Sequence, residues 1–275
     1  MRHDVILGVM VLVLGTSSAA MAGVVVTSTQ TKFDTHEVSQ TAIYVEPDRL
    51  KVVTPERVVV FRGDMNRLWV IDTQRRSYSE MTPESMQAMG SRMAGAQAQM
   101  GAAAAQLQER MAQMPPEQRA MMMQMLAGRG LGNGAPPAPP QVAYTRAGGS
   151  KTIASWRCDV YKKTVNGQQE EDVCITPISS AGLTANDFAV LDRISQFMAP
   201  MMSSPMMPRV DYLSLNEMNK AVGFQGMPLD TTMYEQGKPT SQSTVVKLER
   251  TTIPANTFDL PAGLTKRDIG MPPPR

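Results

Sequence analysis

The chain has 275 residues, with 27 basic against 25 acidic side chains and a formal net charge of +2. That balance excludes a broad nucleic-acid or acidic-membrane footprint. Only two histidines are present, His3 and His36, which excludes multi-histidine metal sites and makes any Ser-His-Asp or Cys-His mechanism depend on very little.

Residues 1–22, MRHDVILGVMVLVLGTSSAAMA, carry an early arginine, an apolar run from Val5 to Leu14 and an Ala20-Met21-Ala22 end. This is the pattern of a secretory signal peptide, and the run is too short to span a bilayer, which takes about 20 residues. Cleavage after Ala22 is expected, with no cysteine following to take a lipid anchor. The mature chain then begins at Gly23 and works in a bacterial periplasm; 275 residues less 22 leaves 253, enough for a real core.

Residues 23–80 read as the first part of an antiparallel sheet. Strand-like runs Phe33 to Val45, Arg49 to Thr54, Arg57 to Arg62, Met65 to Asp72 and Ser77 to Glu80 are separated by turn residues. His36 falls in the first of these and reads as an ordinary strand histidine. If Thr54 faces Arg57 and Arg62 faces Met65, then Leu50, Val52, Val59, Phe61, Leu68 and Val70 share one apolar face. Arg49, Lys51, Arg62 and Arg67 share the other.

From residue 81 to 127 the period changes. Met86, Met93, Met100, Leu107 and Met114 recur every seven residues, with Met89, Ala96, Ala103 and Met111 at the half-steps. This is a narrow helical seam. Thr82 and Pro83 open the helix, Pro115-Pro116 closes it, and a shorter helix with Met121, Met122, Met125 and Leu126 completes a Met-rich hairpin. Residues 128–150, rich in glycine and proline, read as a linker.

Residues 151–275 read as the second part of the sheet with two helices. Trp156 to Thr164 and Gln168 to Ile175 flank Asn166-Gly167, a strong hairpin signal. Cys158 and Cys174 are the two cysteines, and in an oxidising compartment they are expected to pair. A three-residue loop, or a bulge, would bring them face to face. Helices are expected over Ala185 to Met198 and Leu215 to Val222. Strands follow over Met227 to Gln236 and Thr240 to Ile253, then a short terminal piece, TFDLPAGLTKRDI.

The phrases RLWVIDTQRRSYSEM, MPPEQRAMMMQM, WRCDVYKKTVNGQQEEDVCITP and IPANTFDLPAGL, in that order, resemble a secreted bacterial family known only as a domain of unknown function (DUF4412). That family is similar in turn to the periplasmic lipoprotein carriers. The resemblance implies a curved antiparallel half-barrel closed by helices over an apolar cavity, and no activity.

The expected fold class is therefore α+β: a curved antiparallel sheet, or half-barrel, with an inserted Met-rich helical hairpin. The expected function is non-enzymatic binding or carriage of a lipid or acyl chain, lined by Leu50, Val52, Val59, Phe61, Leu68 and Val70, with Met86, Met93 and Met100 as lid contacts. No cofactor is expected. Two other readings come from other classes. Met121, Met122, Met123 and Met125, or Met198, Met201, Met202, Met206 and Met207, could hold a soft metal such as copper. The heptad seam could instead dock an envelope protein partner. An enzyme has least support: Glu170-Glu171-Asp172 opposite Lys162 and Lys163 reads as a surface charge ladder. Gly-x-Ser-x-Gly, phosphate-cradling loops and H-E-x-x-H are all missing.

Overall fold

The computed structural model describes residues 22–119, 140–202 and 214–267, without the side chains of 93, 97, 100, 104, 108, 200–202 and 214–217. Residues 1–21 of the expected signal peptide (1–22), most of the expected second hairpin helix and the Met121–Met125 group lie outside the described residues. So do Met206 and Met207.

The strands are β1 (Ala22–Lys32), β2 (Val38–Glu46), β3 (Arg49–Val53), β4 (Arg57–Arg62), β5 (Arg67–Asp72), β6 (Ser77–Met81), β7 (Val142–Ile153), β8 (Trp156–Val165), β9 (Gln168–Pro177), β10 (Gly226–Glu235), β11 (Lys238–Thr252) and β12 (Thr265–Lys266). They form one 12-stranded sheet in the order β12-β6-β5-β4-β3-β2-β1-β11-β10-β9-β8-β7. Every pairing is antiparallel except the short β12–β6 contact. The sheet is curved and unclosed, and with its helical insertion it is an α+β half-barrel, as the sequence predicts. The two halves of the chain join where β1 pairs with β11.

The curl has a direct signature. Lys151 on β7 and Asp230 on β10 stand three strands apart, roughly 14 Å in a flat sheet, yet Lys151 Nζ lies 2.8 Å from Asp230 Oδ2. Only a strongly rolled sheet brings them together.

In the first half Leu50 pairs with Phe61 and Val52 with Val59, as expected. The β4–β5 turn differs from expectation. Arg62 pairs with Arg67, not Met65, so Gly63, Asp64, Met65 and Asn66 form a four-residue loop. Asn66 takes a left-handed conformation there (φ 50°), which asparagine tolerates. Phe61 therefore faces Leu68 and Val59 faces Val70. The error is two residues, so every side chain keeps its predicted face.

The opposite face, expected to carry Arg49, Lys51, Arg62 and Arg67, is also apolar in part. Val60, Trp69 and Ile71 are buried there with Ile253 and Phe258, and Leu260 and Leu264 pack against them. The run RVVVFR is apolar at consecutive positions because β4 is covered on both faces.

Helix α1 (Pro83–Ala112) follows β6 and is about 45 Å long at 1.5 Å per residue. Thr82 and Ser85 form a capping box. At its other end Arg119 Nε donates to the carbonyl of Met111 (3.0 Å), and Arg119 Nη2 to those of Ala112 and Met114. The chain thus folds back over residues 116–119, which are helical.

Strand β7 begins at Val142, inside the stretch read as a linker. Gly148 (φ 76°) and Gly149 (φ 91°) sit in an irregularity between Arg146 and Ser150 rather than ending the strand. The β8–β9 turn has two residues, Asn166 and Gly167, both left-handed, as a tight hairpin requires. A shift between Lys163 and Thr164 leaves Glu170 unpaired, a bulge. Cys174 then lies opposite Val160, and the disulfide to Cys158 runs diagonally across the pair, with Cα atoms 5.3 Å apart. Two 3₁₀ turns, Ile178–Ala181 and Ala185–Phe188, lead into α2 (Ala189–Met202); α3 is Ser214–Val222. Met218 of α3 packs with Tyr161, Val173 and Ile175. No described helix is long and apolar enough to cross a membrane.

Candidate functional site

The predicted apolar row is gathered on one face of β3, β4 and β5, the inner face, and α2 covers it. Val190 and Ile194 of α2 join Phe61, Leu68, Val24, Val26, Val45, Cys158, Cys174, Met227, Leu229 and Val245 in one buried cluster. Strands of both halves of the sheet, from β5 to β8, contribute to this one cluster together with α2. Phe197 meets Phe61 edge-on, ring centroids 5.5 Å apart.

The row is not uniform. Phe61 and Leu68 are buried, at 1% and 7% exposure. Leu50, Val59 and Val70 are half-buried against the same cluster, and Val52 is half-buried as well. So two members are core, and four form an incompletely covered strip beside it. Met86 is fully buried; Met93 and Met100 lie on α1, their side chains outside the described residues. Farther along the seam Ala96 and Ala103 are exposed, while Leu107, Met111 and Met114 are half-buried.

The cover is positioned by polar contacts at its entry. Thr184 donates to Asp187 Oδ2 through its backbone N–H (2.7 Å) and its hydroxyl (2.9 Å), and Arg250 Nη2 on β11 donates at 2.5 Å. Burial pushes the Asp187 carboxyl up, but these donors outweigh it and hold it below the ordinary carboxylate range. α1 in turn packs against α2.

Two polar features border the apolar cluster. Asp230, 3% exposed, accepts from Lys151 Nζ (2.8 Å), Gln242 Nε2 (2.7 Å) and Thr244 Oγ1 (2.7 Å). Burial raises its pKa, and these three donors bring it below the usual value. Thr176, fully buried, pairs with Met227 across the ladder, and its hydroxyl has no hydrogen-bond partner among the described residues. Neither was expected from sequence: Asp230 lies in an ordinary strand run, and a lone threonine gives no signal of burial.

Met198 packs against the inner cluster from α2, which gives it a core role. Among the described residues no group of three or more His, Cys, Asp or Glu side chains could hold a metal ion. Lys163 Nζ lies 2.5 Å from Glu171 Oε1 and Lys162 pairs with Asp172 across the hairpin. The ladder is there, but Lys163 is buried rather than on the surface.

No protein-family model matches the chain, and no curated protein matches it. Among solved structures it is similar to an uncharacterised conserved protein from Thermus thermophilus, at 10% identity and a TM-score of 0.42, covering 91% of each chain. It is also similar to PNGF-II, at 8% identity and a TM-score of 0.36, covering 90% of this chain and 31% of that one. A third is MucB in complex with periplasmic MucA, at 11% identity and a TM-score of 0.35, covering 92% and 61%. At these scores no function carries across.

Proposed function

We propose that the chain is a non-enzymatic periplasmic protein that binds the acyl chain of a lipid on the inner face of its half-barrel, in the manner its resemblance to lipoprotein carriers implies. The observation that carries this reading is the strip of Leu50, Val52, Val59 and Val70, apolar and only half-covered beside α2. An aliphatic chain lying along it would remove apolar surface from water at about 25 cal/mol per Å². A helix, unlike a second sheet, covers such a strip through side-chain contacts alone and can shift without breaking backbone ladders.

The test is native mass spectrometry on protein prepared from the periplasm without detergent or chelator. An adduct of lipid mass, lost on mild activation, supports the proposal and names the ligand. A bare monomer that also fails to bind a fluorescent fatty acid would sink it, and a copper-mass adduct would transfer the role to the methionines.

A further inference from the structure

Glu46 is the most deeply placed carboxylate of the first half of the sheet, 1% exposed. Its Oε2 lies 2.6 Å from Arg49 Nη2, but the contact is poorly directed and Oε2 has no hydrogen bond of acceptable geometry. Arg49 is shared: its Nε lies 3.6 Å from Asp48 Oδ1, and its guanidinium lies over the Phe258 ring at 5.2 Å. Burial pushes the Glu46 carboxyl up, and the positive charges of Arg49 and, more weakly, Arg62 do not offset it, so the carboxylate is under-compensated.

The neighbour of Glu46 is Gly23. Val24 pairs with Val45, so the register sets Gly23 across from Glu46. The approach is close: a Cβ on Gly23 would fall 3.1 Å from Glu46 Cγ, 2.7 Å from the Val45 carbonyl oxygen and 2.4 Å from Ile253 Cδ1. No side chain fits there, so only glycine allows the main chain to lie against Glu46. Gly23 is also the residue that cleavage after Ala22 would expose.

We infer that Glu46 is the acceptor site for the mature amino terminus: removal of the signal peptide creates an ammonium on Gly23 that pairs with the buried Glu46 carboxylate and locks β1 against β2. Water, with a signal peptidase, hydrolyses the Ala22–Gly23 amide. Ala22 leaves as the carboxylate of the peptide, and the Gly23 amine takes up a proton. Before cleavage Gly23 offers only a neutral amide; afterwards it offers a full positive charge on the strand next to the buried Glu46 carboxylate. Processing would therefore tighten the central strand, the one that joins the two halves of the sheet.

The test compares the exported chain beginning at Gly23 with a chain beginning at Ala22, each with Glu46 and with Glu46→Gln. With Glu46 present, the Gly23 start should melt roughly 3–6 °C higher, a span set by about 1–2 kcal/mol in a domain of this size. With Glu46→Gln that difference should vanish. Equal melting of the two starts with Glu46 present, or a difference that survives Glu46→Gln, overturns the inference, and so does a mature mass beginning at another residue. Should Glu46→Gln not fold, titration of the ¹⁵N-labelled Gly23 amine in the unaltered protein decides. A pKa above the ordinary α-amino value of about 8 supports the pair, and one at or below it rejects it.

Discussion

At the scale of single residues, Val59 and Leu68 stand in one row yet respond differently to a charge. Leu68 is core, and Leu68→Glu would bury a carboxylate in the cluster under α2. It should lose several kcal/mol and tests folding, not binding. Val59 is half-covered, so Val59→Glu should leave the chain folded, by circular dichroism and melting, while abolishing uptake of a fluorescent fatty acid. A folded Val59→Glu protein that binds the probe normally places the site elsewhere. Asp230 offers a pH test. Its folded pKa is depressed, so its contribution is present above the unfolded value and is lost as pH falls through the folded one. Asp230→Asn should cost about 2 kcal/mol at neutral pH, as expected for hydrogen bonds to a buried charge, and flatten the stability curve below about pH 4. An unchanged acid limb in Asp230→Asn would show that another carboxylate governs it. The row was legible in sequence because strand alternation survives a two-residue error in a turn. Asp230 was not, because its partner Lys151 lies 79 positions away and is brought near only by the curl.

At the scale of elements, the β8–β9 hairpin shows what local chemistry can and cannot announce. Asn166-Gly167 marks a two-residue turn because both positions need positive φ. The bulge at Glu170 carries no residue signature, so the cysteines sit diagonally rather than directly opposite. The disulfide closes a loop of 16 positions, and replacing both cysteines by serine should cost about 3 kcal/mol by the loop-entropy argument. Calorimetry of the double variant decides: a loss under about 1 kcal/mol would mean that the packing of Cys158 and Cys174 in the inner cluster already holds the hairpin. β7 is hidden in the sequence for a related reason. Its glycines read as a breaker, but paired glycines also mark bulges. The capping box of α1 was half legible, since Thr82 and Pro83 announce the start, whereas the back-capping by Arg119 depends on how the chain reverses.

At the scale of the molecule, the outer face of the half-barrel is covered by residues 253–267. After β11 the chain crosses β3 to β6. Lys51 Nζ donates to the Thr257 carbonyl at 2.8 Å, Arg62 pairs with Asp259 at 3.0 Å, Lys266 pairs with Glu80, and β12 adds to β6. These polar ties are numerous, but magnitudes favour the apolar one. Asp259 is well exposed, and such an ion pair contributes at most about 1 kcal/mol, whereas truncating a buried phenylalanine costs about 3–5 kcal/mol. Phe258 is fully buried with Val60, Trp69 and Ile71. Phe258→Ala should therefore lower stability by that amount and, in a Trp156→Phe background that leaves Trp69 as the single emitter, shift its fluorescence to the red. Arg62→Ala should do neither. If the two variants melt alike, the terminal segment is held by its charges and the outer cluster is not a core. If Phe258→Ala alone unfolds the first half, the sheet depends on both faces being covered, and the continuous apolar run of β4 is the sequence feature that required it.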